Sequence, residues 1–171
     1  MNPSLKTAST AVLLATLSAG LAEAATPPDN APTIMVDSQP VPQMTQRELD
    51  ERLWLTALTG NVGAIVQLVE QGANPNIATR YGETAMHAAA ARGHLNIVNF
   101  LLKKGVSIHS RTANGWTPLH HAARFGHAAV ANLLVQAGAN PRVPTTDPGH
   151  KTPIDIAVDK GDLRMARIMG W

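Results

Sequence analysis

The 171-residue chain contains no cysteine, which excludes a disulfide, a thiolate metal ligand and an amino-terminal lipid carried on cysteine. Aromatic residues are scarce: three Trp, one Tyr and two Phe, so any core must be built from Ala, Leu, Val and Ile. No Gly-x-Ser-x-Gly elbow, Walker loop or dinucleotide-binding glycine pattern occurs, and these absences argue against a hydrolase, a nucleotidase and a dehydrogenase alike. The only serines beyond residue 44 are Ser107 and Ser110. No His-x-x-x-His or His-Glu-x-x-His spacing supplies a helical zinc site. The one Asn-x-Ser/Thr triplet, Asn2-Pro3-Ser4, is blocked by its proline. Acid is nearly missing from the middle of the chain: residues 71–146 hold seven basic side chains against Glu83 alone, a net of +6.

The first 24 residues read as a secretory signal peptide. Lys6 gives a positive start, Ala11 to Leu21 is mostly apolar, and Ala22-Glu23-Ala24 offers the small residues that a signal peptidase reads. The apolar run is short of the roughly 20 residues that span a bilayer, so cleavage after Ala24 is expected and no stable membrane insertion afterwards. No Arg-Arg pair precedes the run, which favours the general secretory route. With the missing cysteine, this points to the periplasm, with secretion as the alternative. Residues 25–44 carry five prolines, Pro27, Pro28, Pro32, Pro40 and Pro42, and read as a flexible linker.

From residue 45 onward the chain repeats itself. Gly60 recurs at Gly93 and Gly126, and Gly72 at Gly105 and Gly138, each a step of 33 residues. Thr45 with Glu48 makes a capping box, and Leu49, Leu53, Ala57 and Leu58 follow on one helical face. Second helices are expected over Val62–Glu70, Leu95–Lys103, Ala128–Gln136 and, shorter, Leu163–Met169. Four units result, approximately 45–78, 79–111, 112–144 and 145–171. The last carries two extra residues, assigned to Asp147-Pro148-Gly149-His150.

The third unit reads Gly115-Trp116-Thr117-Pro118-Leu119-His120-His121-Ala122-Ala123-Arg124-Phe125-Gly126-His127. With Leu133-Leu134 and Gly138-Ala139 it resembles the ankyrin repeat family in motif and period. The resemblance covers about residues 47–171. The second unit departs at Ala85 and Met86, the last at Asp155, Val158 and Asp162, and the first lacks the Thr-Pro-Leu-His signature. It implies an all-α solenoid of two antiparallel helices and a projecting hairpin-like loop per unit, with degenerate units capping the ends. Thr84, Thr117 and Thr152 then cap first helices, Pro118 and Pro153 take the first helical position, and Ala89, Ala90, Ala122 and Ala123 allow close helix approach. His87 and His120 belong to the loop-bonding position, and His94 and His127 to the interhelix turn. His109, His121 and His150 have no motif role.

The same resemblance places partner contacts at loop tips and on the inner face of each first helix. Carried over, these are Arg80, Tyr81, Glu83 and Arg92, then Asn114, Trp116, Arg124 and Phe125, then Lys151, Asp159 and Lys160. Tyr, Trp and Arg dominate interface energetics, although Trp116 also suits covering a neighbouring loop and Phe125 filling a gap between units. The positive middle calls for a protein partner with an acidic surface; nucleic acid does not suit an exported chain. The expected function is a non-enzymatic scaffold, inhibitor or stabilising partner, without catalytic residues or cofactor. The alternative is histidine-dependent metal binding or buffering.

Overall fold

A computed structural model describes residues 44–171; the expected signal peptide and the linker up to residue 43 lie outside the described residues. Eight helices form four pairs: α1 (Gln46–Thr59) with α2 (Val62–Glu70), α3 (Ala85–Arg92) with α4 (Leu95–Lys103), α5 (Pro118–Phe125) with α6 (Ala128–Gln136), and α7 (Pro153–Asp159) with α8 (Leu163–Ile168). No strand occurs among the described residues. First helices pack in the order α1, α3, α5, α7, and second helices in the order α2, α4, α6, α8. This is the all-α solenoid that the 33-residue period implies.

Local chemistry sets the helix limits. Glu48 N donates to Thr45 Oγ1 at 3.3 Å while Thr45 N donates to Glu48 Oε2 at 2.8 Å, so two otherwise orphaned donors are satisfied. Thr152 and Asp155 repeat the arrangement at 3.1 and 2.9 Å. Pro118 and Pro153 open α5 and α7, where a missing amide hydrogen costs nothing. The second helices of the first three units have the expected limits, and α8 ends one residue early because Met169 serves as its cap.

The core is aliphatic, with Leu53, Ile65, Met86, Ile97, Leu101, Leu119, Leu134 and Met165 fully buried. Ala89, Ala90, Ala122 and Ala123 are at most 1% exposed, and their small size lets α3 and α5 approach each other and their neighbours. Gly93 has φ +75°, and a Cβ there would meet the His127 ring at 2.5 Å. Gly126 has a similar φ of +79° with nothing within 4 Å of such a Cβ. Gly126→Ala therefore bears only the left-handed backbone cost of about 1 kcal/mol. Gly93→Ala must also displace a histidine, so its melting temperature should fall clearly further in a thermal scan. Equal losses would contradict the clash.

The loops between pairs are closed and joined by backbone bonds. Thr79 N donates to Glu83 O at 2.8 Å, Thr112 N to Trp116 O at 2.9 Å and Thr145 N to Lys151 O at 3.0 Å. Ala113 N donates to Tyr81 O at 2.9 Å and Thr146 N to Asn114 O at 3.0 Å, linking each loop tip to the next. The two extra residues of the last loop are absorbed at Asp147–His150, where His150 takes φ +44°. Asp147 Oδ1 accepts from Thr145 Oγ1 at 2.8 Å and from Gly149 N at 3.1 Å.

Four histidines fasten unit to unit. His87 Nδ1 accepts from Thr84 N at 3.1 Å and His120 Nδ1 from Thr117 N at 3.0 Å. The ring proton therefore sits on Nε2, which donates forward to Trp116 O at 3.1 Å and to Lys151 O at 3.2 Å. His94 and His127 reach backward to Leu58 O and Ala91 O, each at 3.1 Å. At the last joint Lys160 Nζ donates to Arg124 O, the carbonyl that corresponds to Leu58 and Ala91 in the repeat. Lys160 thus serves as a clasp between units, a role that differs from the partner contact expected of it.

Candidate functional site

The inner helices and the loop row enclose a concave groove of about 800 Å³. Its helical wall comes from Trp54 and Leu58 on α1, Ala91 and Arg92 on α3, and His121, Arg124 and Phe125 on α5. Its loop wall includes Tyr81, Glu83, Asn114, Trp116 and Asp147. Seven of the eleven expected contact residues therefore share one surface: Tyr81, Glu83, Arg92, Asn114, Trp116, Arg124 and Phe125. Arg80 lies over the Tyr81 ring at 4.7 Å and lines an adjoining hollow with Trp54 and Ile77. Lys151 and Lys160 line neither. Lys151 is instead paired with Asp159 at 2.6 Å, and this pairing raises its pKa.

Charge and aromatic surface coincide in the groove. Arg124 places its guanidinium 5.2 Å from the Trp116 ring centre and 5.9 Å from that of Phe125, a cation–π arrangement that holds the side chain in place. Among the described residues the ion pairs are Arg47–Glu51 and Lys151–Asp159, so neither Arg92 nor Arg124 is neutralised by a carboxylate. Phe125 is 51% exposed and Tyr81 58%. Phe125 consequently offers its ring to the groove and does not fill a gap between units. Trp116 covers the neighbouring loop, its indole N–H donating to Asp147 Oδ2 at 3.2 Å, while its carbonyl accepts from His87 and its ring lines the groove. The Thr145 hydroxyl and then this indole hold the Asp147 carboxyl below its ordinary value.

Two features of the groove escaped the sequence. Trp54 stands 33 residues before His87, at the position where the other units carry a loop-bonding histidine, and its indole Nε1 is buried without a partner. His121 is more unusual. Both ring nitrogens are buried and neither makes a hydrogen bond among the described residues, although buried polar groups are normally paired. Its ring is 5.4 Å from Trp116, 5.5 Å from His87 and 6.4 Å from Phe125 between centres. Burial first, then the nearby His87, His120 and Arg124, pushes its pKa down to about 4. His87 and His120 are likewise pushed to about 4, chiefly by burial. Among the described residues no group of three or more His, Asp or Glu side chains is arranged to hold a metal ion.

Stacked helix pairs with a loop row along one edge and a groove between them define a repeat solenoid. The family model for ankyrin repeats (3 copies) matches residues 53–145 and 108–169, and the chain belongs to the ankyrin repeat family. Among curated proteins no match is found. No described helix is long and apolar enough to cross a membrane.

Proposed function

We propose that the protein is an exported, non-enzymatic binding module whose groove grips an acidic surface of a partner protein. Ankyrin repeats generally mediate protein–protein interaction, and the family is typically non-enzymatic. The observation that carries the finer reading is Arg92 and Arg124, two guanidiniums without a carboxylate partner beside Trp116, Phe125 and Tyr81. Such a surface favours aromatic and carboxylate groups of a partner and speeds their encounter. The segment ending Ala22-Glu23-Ala24 supports export, to the periplasm. The protein acts there as scaffold, inhibitor or stabilising partner. The metal-buffering alternative has less support, because His87, His94, His120 and His127 spend ring nitrogens on bonds within the fold.

Crosslinking in the native compartment tests this reading. The recovered protein should begin at Ala25 by mass, and the crosslinked partner should be lost at least tenfold in the Arg92→Ala/Arg124→Ala variant with circular dichroism unchanged. Among the described residues neither guanidinium makes a hydrogen bond, so removing the pair should leave the stack intact. Trp116→Ala is a poorer probe, since it also removes the indole bond to Asp147. Undiminished capture by the double variant would refute the proposed face.

A further inference from the structure

The unpaired imidazole of His121 points beyond a generally acidic partner. It is walled by Trp116 from the loop row, by His87 from α3 and by Phe125 on its own helix. Arg124 lies across the Trp116 and Phe125 rings. The titratable and charged groups around it are therefore His87, its chain neighbour His120, and Arg124, with Arg92 lining the same groove. The acids of the groove are Glu83 and Asp147, and Asp147 is already occupied by the Trp116 indole and the Thr145 hydroxyl. Among the described residues no carboxylate reaches either nitrogen of His121.

Resting on the acidic-partner reading above, we propose that His121, Arg92 and Arg124 form a carboxylate subsite, and that an Asp or Glu side chain of the partner enters it together with a proton taken up by His121. In the free protein a proton on this ring gains no acceptor, loses hydration and is repelled by Arg124. Once the ring, whose nitrogens are buried in the free protein, turns towards the groove that it lines, an entering carboxylate reverses each of these. It accepts the N–H that protonation creates, and its charge offsets the guanidinium. The proton is drawn from solvent and rests on the ring nitrogen, leaving an imidazolium–carboxylate pair. The complex then holds a proton that the free protein does not, and linkage requires affinity to rise as pH falls. The subsite also accounts for an orphaned polar group on a recognition surface, where its desolvation cost is recovered on binding.

Fluorescence anisotropy with the labelled dodecapeptide (Glu-Gly-Leu)4 and the full mature protein, between pH 7.5 and 6.0, tests the inference. Glutamate stays ionised across this range, and far-ultraviolet circular dichroism verifies the fold at each pH. The wild type should bind about fivefold more tightly at pH 6.0 than at pH 7.5, and (Gln-Gly-Leu)4 should not bind. In His121→Phe and His121→Asn the affinity should be flat with pH. A wild-type profile that is flat, or a slope that survives both variants, overturns the proton-coupled subsite while leaving the acidic-partner reading intact. Absence of peptide binding at every pH overturns that underlying reading, and the inference with it.

Discussion

Acidification from pH 7.5 to pH 5 should remove about 6 kcal/mol of folding stability. Three imidazoles carry this loss, His87, His120 and His121, each held near pKa 4 chiefly by burial against about 6.5 in an unfolded chain. Between these values the unfolded chain binds protons that the folded protein refuses, so stability falls as pH falls from 6.5 towards 4. Each ring contributes about 2 kcal/mol by pH 5. The rings interact, since His87 and His121 lie 5.5 Å apart, and charging one opposes charging the next. The carboxylates Glu48, Asp147 and Asp155 are shifted downward, so their contribution is lost only below this window. Net stabilities of small domains are commonly 5–15 kcal/mol; the loss is therefore enough to bring this one close to unfolding. Urea titrations at pH 7.5, 6 and 5 should show a steadily falling midpoint. A midpoint unchanged between pH 7.5 and 5 would refute the burial of these rings as neutral species.

Two adjacent histidines should respond to the same substitution with opposite signs. His120→Leu strips the acceptor from Thr117 N and the donor from Lys151 O, the first bond buried and the second half-buried. Leaving such groups bare costs about 1–3 kcal/mol each, so a loss of about 3 kcal/mol is expected at pH 7.5. His121→Leu removes two buried nitrogens that have no partner and replaces them with apolar surface. It should leave stability unchanged or raise it by about 1 kcal/mol. Equal destabilisation by the two variants in urea unfolding would show that His121 is bonded after all. A stabilised His121→Leu with weakened partner binding is the pattern of a recognition residue kept at the expense of the fold.

Much of this architecture was legible in the residues because its determinants are local or periodic. The capping pair Thr45 and Glu48, the prolines at 118 and 153, and the glycines closing α1, α3 and α5 act within one turn of where they stand. Seven of the expected contact residues fall in one groove because the ankyrin resemblance supplies their positions and the 33-residue step carries the register from unit to unit. What stayed hidden depends on partners far along the chain. Lys160 looks like any exposed lysine until the Arg124 carbonyl is found 36 residues before it. Asp147 sits in an inserted loop, and only the fold brings it under the Trp116 indole. His121 presents the reverse case: a sequence names a histidine but cannot say that nothing bonds to it. Trp54 was missed for a simpler reason, since the first unit lacks the motif that would have marked its position. The signal peptide and linker rest on sequence alone.

The backbone bonds from Ala113 to Tyr81 and from Thr146 to Asn114 give the loop row a mechanical character. Loops joined only through their helices would bend as separate fingers, each yielding to whatever touched its tip. Stitched peptide to peptide, the row behaves as a beam. A pull on Asn114 is passed in shear to the loops on either side, and one fingertip cannot lift without breaking bonds to its neighbours. The groove therefore keeps its width under load, and a partner meets a wall of fixed spacing.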